Sequence, residues 1–287
     1  NGNGNGNAST EIKVTDAPID DASVSGVFVT IADIKVDGKS VAGFSKTTID
    51  LNAYQKGSTK SLGTFNLEGK TYSSITFVLD FNADTGGATP GCYVLANSIK
   101  HKLEASANTF TVVKNYTITS GSSNSIVADF DLRKIVTYQS GGSDNYNFAT
   151  VAEVESSIRI SQSNNSGIIS GTISDNVSGS AKIVAYAYKK GTYNRSVEMQ
   201  GQGTSSIEFK NAITSCLVSE GNYQLHFLES GDYEIHFASY KDTNADGKFE
   251  LQGTLINTTA LGIDILSLRL NANATLTANV VVIGLLP

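Results

Sequence analysis

The feature that most restricts this chain is its rhythm of short runs in which apolar and polar side chains alternate, each closed by Gly, Asn, Ser or Asp. From Glu11 these runs are EIKVTDAP, SVSGVFVTIADIKV, TTIDL, SSITFVLDF, TFTVV, YTIT, SIVADFDL and SSIRIS. Alternation puts every second side chain on one face, the pattern of a half-buried strand, and a turn about every ten residues is the mark of a sandwich or barrel. After a polar stretch, SQSNNSG at 161–167, the rhythm resumes with GIISGTIS, AKIVAYAYKK, SSIEFK, NYQLHFLE, YEIHFASYKD, KFELQGTL, SLRLN and TLTANVVVIG. Only LNAYQKGSTKSL leaves room for a turn of helix. The expectation is an all-β protein of two β-sandwich domains in tandem: a flexible segment over 1–10, a first domain over 11–161, a linker over 162–167 and a second domain over 168–287. No close internal repeat marks a solenoid.

Length agrees with two cores, since 287 residues exceed the roughly 250 at which single hydrophobic cores stop growing. Charged residues are only 17% of the chain, so Ser, Thr, Asn and Gly supply most of the polar surface, as expected of an exported β-protein. The balance of 21 Lys+Arg against 27 Asp+Glu gives −6 and no basic cluster, which argues against nucleic acid or anionic lipid as partner. The longest apolar run, VVVIGLLP, is far shorter than the roughly 20 residues of a membrane span. The opening NGNGNGN is flexible and polar, as a tether would be. It suggests either a cleaved export signal with an acylated cysteine ahead of Asn1, so that anchoring would be by lipid, or a shortened chain. Cys92 and Cys216 each have apolar neighbours and read as buried free thiols.

The sharpest local motif is DTNADGKFE at 242–250. Oxygen-bearing side chains at loop positions 1, 3 and 5, followed by Gly at 6, let a tight loop wrap one hard cation, and Ca2+ is the cofactor it suggests. The candidate ligands are Asp242, Asn244, Asp246, the Lys248 carbonyl and Glu250. Position 12, where a full loop carries a bidentate Glu, is Gly253, so binding would be weak; the alternative is a hairpin whose Asp and Asn side chains cap their own backbone.

Other polar residues read as structural. Pro18 holds its predecessor extended, so Asp16 is expected to brace the following loop, beside Asp20 and Asp21. Asp129 and Asp131 flank Phe130 and share a strand face with Arg133, as in a cross-strand ion-pair ladder. His226 and His236 are expected on successive strands, both toward solvent, where they could pair; without a third ligand they do not suggest zinc. Tyr186, Tyr188, Tyr193 and Tyr240 could form an aromatic patch for glycan or belong to the core. There is no GxSxG, HExxH or phosphate loop, so no catalytic residues are assigned and the chain is not expected to be an enzyme.

Taken in order, Val14-Thr15-Asp16-Ala17-Pro18, VFVTIADIKV, Leu67, Gly69 and Tyr72 before SITFVLDF, YVLANSIKHKLEAS, VADFDLRKIV and SSIRI resemble a bacterial family of unassigned function, similar to domain of unknown function 4382, that recurs in outer-membrane and cell-surface lipoproteins. Thr76 departs from it, standing where the resemblance implies a basic residue. In the second half, Gly171-Thr172-Ile173, Gly231-Asp232-Tyr233 and the 242–250 loop resemble the prealbumin-like modules related to carboxypeptidase regulatory domains, which implies a scaffold without chemistry of its own. Together these resemblances imply immunoglobulin- or prealbumin-like sandwiches in a lipid-anchored protein of the outer membrane or cell surface. The expected role is that of an accessory subunit of an outer-membrane protein complex; the alternative is an adhesin or glycan-binding protein.

Overall fold

Alternation becomes strand throughout the first half of the chain. The computed structural model describes residues 6–19, 21–141, 145–260 and 262–287. Two units emerge, Asn1–Ile19 with Val24–Asn164, and Asp20–Ser23 with Asn165–Pro287.

In the first unit the strands are β1 (Asn7–Ala17), β2 (Val24–Val36), β3 (Lys39–Ser40), β4 (Thr47–Asp50), β5 (Lys60–Glu68), β6 (Thr71–Leu79), β7 (Tyr93–Ala96), β8 (Ile99–Lys102), β9 (Thr109–Thr117), β10 (Asn124–Asp131), β11 (Val136–Tyr138), β12 (Tyr146–Phe148) and β13 (Ile158–Gln162). One sheet runs β13-β10-β1-β5; a second runs β8-β7-β2-β6-β9, with β3 and β4 also on β2; β11 and β12 form a ribbon. The two sheets share one core. Ile12 and Val14 of β1 and Ile126, Ala128 and Phe130 of β10 belong to the same apolar cluster as Ile31 and Ile34 of β2 and Ile75 and Phe77 of β6. Phe77 meets Phe130 edge-on at 5.2 Å. Fully burying a side chain of this size contributes roughly 1.5–3 kcal/mol, so this interleaved set fixes which face of each strand turns inward. β1 and β10 pair in parallel, with Thr15 opposite Asp129 and Ala17 opposite Asp131.

Two expectations need correction here. Residues 7–10, expected in the tether, open β1: Asn7 pairs with Glu68 and Thr10 with Phe65. The edge of β5 supplies their backbone partners, while Ala8 and Thr10 are buried. Residues 1–5 of that tether lie outside the described residues. Helix is also more frequent than expected. The LNAY segment does hold a 3-10 turn, Leu51–Ala53, but short helices also form at Leu132–Ile135 (α1) and Val151–Ser156 (α2). α2 is started by a reciprocal capping box between Thr150 and Glu153.

The second unit contains β14 (Ser166–Ser174), β15 (Lys182–Lys189), β16 (Thr214–Leu217), β17 (Asn222–Glu229), β18 (Gly231–Lys241), β19 (Glu250–Thr259), β20 (Leu268–Leu270), β21 (Thr275–Thr277) and β22 (Val280–Leu286). Its sheet runs β16-β15-β18-β19-β22-β14-β17. The sheet folds over itself, because Ile169, Tyr223, Leu225 and Val280 from one end share a core with Ala185, Ala187, Ile235 and Phe237 from the other. Within 162–167, Gln162 completes β13, Ser163–Asn165 is a 3-10 turn, and Ser166 already starts β14.

The opposite face of β15 builds a second core. Val184, Tyr186 and Tyr188 pack there with Ala238, Tyr240, Phe209 and Ala212. Residues 190–213, including the short helix α3 (Arg195–Glu198), supply the cover. SSIEFK, expected as a strand, belongs to this cover: it forms turns and one isolated bridge between Gln202 and Ile207, and Phe209 stacks on Tyr186 at 4.2 Å. A buried ring at the end of that segment draws it onto the sheet face in place of a ladder.

Candidate metal-binding loop

The loop between β18 and β19 forms because two of its residues adopt left-handed backbone, Ala245 with φ 60 and Gly247 with φ 84. Gly meets that requirement at loop position 6 without steric cost. The turn brings one carboxylate oxygen each from Asp242, Asp246 and Glu250 within 4.8 Å of one another, the one such group of three or more acidic, His or Cys ligands among the described residues. Their oxygens accept short local bonds: the Gly247 amide donates to Asp242 Oδ2 at 2.9 Å, the Lys248 amide to Asp246 Oδ1 at 2.8 Å, and the Thr243 amide to Glu250 Oε2 at 2.8 Å. Asn244 Oδ1 accepts from the Asp246 amide at 3.1 Å. Lys248 directs its ammonium to Asp21 Oδ2 at 3.2 Å, and Gly247 accepts from the Ala22 amide. That pinning comes from residues 21–23, which group with this unit; Asp20 lies outside the described residues.

Position 12 of the loop has a physical reason to lack its Glu. Gly253 has φ 153, and a Cβ there would come within 2.3 Å of the Leu286 carbonyl oxygen. No side chain fits. The loop therefore offers the carboxylates of Asp242, Asp246 and Glu250, the Asn244 amide oxygen and the Lys248 carbonyl, against the six to eight oxygens Ca2+ takes; water would complete the shell.

The other candidates are engaged elsewhere. Asp129 forms the expected cross-strand pair, but with Arg159 of β13, directly opposite in register, at 2.7 Å. Arg133 does not extend the ladder: it lies in α1, where it and Lys134 approach Asp131 Oδ2 at 3.6 and 3.4 Å. Asp16 stays within β1, and its Oδ1 accepts from the Leu132 amide at the start of α1 at 3.4 Å, not from the loop that follows Pro18. Burial, then the charges of Asp129 and Asp131, push its carboxyl well above the usual range.

His226 and His236 do not pair, because β17 and β18 are not neighbours in the sheet. His226 bonds Gln224, whereas His236 lies face to face with Tyr193, centroids 3.5 Å apart, and 3.6 Å from Glu234. Desolvation lowers the His236 pKa, opposed by Glu234. Tyr186, Tyr188 and Tyr240 are buried, so they are core and not a glycan platform; only Tyr193 of the four is partly exposed. Both cysteines are free and buried, and burial pushes the Cys92 thiol up to about 12. Thr76 is buried and exchanges a hydroxyl bond with Thr111 at 2.9 Å. Glu198, which no local sequence motif marks, is a buried carboxylate that accepts from the Tyr188 hydroxyl at 2.8 Å, the Asn211 amide at 3.1 Å and the Asn211 side chain. Among the described residues no helix is long and apolar enough to cross a membrane.

These features define a protein of two β-sandwich units whose described titratable clusters, the 242–250 loop apart, are built into the framework. The chain belongs to the family described as Domain of unknown function (DUF4382), which it matches over residues 7–150. No curated protein sequence matches it. Among solved structures, it is similar to the Bacillus anthracis TIE protein, with 11% identity over 96% of this chain and 34% of that one at a TM-score of 0.20. A leucine-rich repeat protein from Bacteroides thetaiotaomicron gives 11% identity, 95% and 26% coverage and a TM-score of 0.22. The fimbrial anchor protein Mfa2 from Porphyromonas gingivalis gives 10% identity, 96% and 91% coverage and a TM-score of 0.22. The chain thus spans about a third and about a quarter of the first two proteins. TM-scores this low do not establish a common fold.

Proposed function

We propose that this protein is a non-enzymatic interaction module of the bacterial outer membrane or cell surface, held by an N-terminal lipid anchor and serving as an accessory subunit of an outer-membrane protein complex. The observation that carries this reading is how the polar chemistry is arranged. Asp129 and Asp131 have ion-pair partners within their own unit, Glu198 has buried donors, and His236 is stacked on Tyr193. The solvent-facing surface includes Ser-, Thr- and Asn-rich strand positions and apolar side chains on the paired strands β19 and β22, where Ile256, Val281 and Ile283 are 45%, 49% and 58% exposed. Exposed apolar side chains on two paired strands suit protein contact better than chemistry on a small molecule. The adhesin or glycan-binding alternative loses its main support, because three of the four tyrosines proposed for a platform are core.

A mild-detergent pull-down from native membranes, with mass spectrometry of companions and of the N-terminus, tests the reading. A stoichiometric outer-membrane partner and an acylated N-terminal cysteine are expected. An unacylated chain recovered alone would overturn it.

The 242–250 loop is the proposed site of weak Ca2+ binding, in the range of about 10⁻⁴ to 10⁻³ M typical of extracellular modules. Its role is to stiffen the β18–β19 connection; isothermal titration with Ca2+ alone measures it, and no heat at millimolar Ca2+ rules it out.

A further inference from the structure

Three buried carboxylates lie in the region where β1, β10 and α1 converge in the first unit, with Asp16 opposite Phe130 in register and thus level with the residue between Asp129 and Asp131: Asp16, Asp129 and Asp131 are 6%, 5% and 4% exposed. Two of them have cations. Arg159 serves Asp129, and Arg133 with Lys134 serves Asp131. Among the described residues no cation pairs with Asp16. Its Oδ1 receives a long bond from the Leu132 amide at 3.4 Å, the Gln55 side chain also acts on the carboxyl as a weak hydrogen-bond partner, and its Oδ2 has no close donor among the described residues. The groups that act on Asp16 come from each neighbouring element: Asp129 and Asp131 of β10, the Leu132 amide of α1, and Gln55 after the first 3-10 turn. A buried carboxylate without a cation, beside two others, is a high-energy arrangement, and such a group neutralises instead.

We infer that Asp16 of the Thr-Asp-Ala-Pro segment is held as the neutral acid, and that its proton is a built-in switch: losing it loosens the corner where β1, β10 and α1 meet. The direction follows from linkage. A carboxyl whose folded value lies above its unfolded one contributes stability that is complete below the ordinary carboxylate range and is lost as pH rises through the folded value. The switch therefore opens on alkalinisation. This is opposite to Asp80, whose carboxyl Lys46 holds below the usual range at 2.8 Å and which contributes stability that is lost on acidification.

The test is a pH titration of the whole protein labelled with ¹³C at aspartate side-chain carbons, with Asp16→Asn used to assign the Asp16 signal. The Asp16 carbon should keep the shift of a protonated acid after the exposed aspartates have titrated. A midpoint with theirs, near about 3.9, overturns the inference. Amide hydrogen exchange supplies the second arm. In the wild type, protection at Leu132 and along β1 and β10 should fall, beyond the intrinsic base-catalysed rise, as Asp16 loses its proton. Asp16→Asn, a neutral shape mimic, should keep that protection at the same pH. Parallel loss in both chains overturns the switch. If Asp16→Asn does not fold, Asp16→Glu assigns the signal and the wild-type titration still decides.

Discussion

Two acidic clusters, one in each unit, are built from nearly the same residue types and meet opposite fates. In the first unit Asp129 and Asp131 are separated by Phe130, whose ring must enter the core, so the segment extends as a strand and its carboxylates are carried inside to Arg159, Arg133 and Lys134. In the second unit Asp242, Asn244 and Asp246 are separated by Thr243 and Ala245 and followed by Gly247, so the chain turns in left-handed backbone and the carboxylates stay half-buried or exposed on local amides. The oxygen-bearing side chains are two residues apart in both cases, Asp129 and Asp131 in one and Asp242, Asn244 and Asp246 in the other. The residues between them decide whether the charges become framework or remain available to a soluble cation.

The largest expected effect tests the buried side of that contrast. Asp131→Ala leaves Arg133 and Lys134, each with a side chain only 7% exposed, without their carboxylate. Removing one partner of a buried ion pair costs about 3–5 kcal/mol, because the remaining charges stay desolvated and lose much of their compensation. Urea denaturation followed by a probe in the first unit should show that loss, with little change at high salt since a buried pair is weakly screened. A loss under about 1 kcal/mol would mean that the cluster behaves like a surface pair, and the comparison would fail.

The second unit supplies an internal control, because it too buries a carboxylate. Glu198 accepts from Tyr188, Asn211 and Gln202, and among the described residues no cation forms an ion pair with it, so its donors there are neutral. Glu198→Ala should cost about 2–3 kcal/mol, the penalty of stranding a buried hydroxyl and amides. If the loss matches or exceeds that of Asp131→Ala, cations are not what distinguishes the buried acids of the first unit.

The strand framework was legible because period-two alternation is a direct imprint of one-sided burial. Segments whose outcome depended on distant chain were not. Residues 7–10 look like tether by composition and become strand because β5 lies beside them. SSIEFK alternates like a strand but is pulled over Tyr186 as a lid. By contrast, α2 was readable: Thr150 followed three residues later by Glu153 is a helix start, hidden among β signals. The pairing of Asp129 with Arg159 needed the β10–β13 register, which no local pattern contains, and the order of β17 and β18 in the sheet separated two histidines that adjacency in sequence had brought together. The 242–250 loop was the most readable candidate because all its candidate ligands are local. What the sequence left unexplained there was Gly253, whose missing side chain is required by the Leu286 carbonyl.

The smallest effect belongs to that loop. If it binds Ca2+, saturation at ten times the dissociation constant should stabilise the second unit by about 1.4 kcal/mol through mass action, read as a rise in its melting temperature. Asp246→Asn should abolish the rise while changing stability without Ca2+ by under about 0.5 kcal/mol, because the amide oxygen can still accept from the Lys248 amide while the lost charge weakens only the cation's field. Sodium chloride should reduce the Ca2+ effect, since half-exposed carboxylates are screened over about 8–10 Å. An Asp246→Asn variant that is strongly destabilised without Ca2+ would place this loop with the framework acids. The distinction between the two clusters would then be one of degree, set by burial alone and not by what the intervening residues make of the backbone.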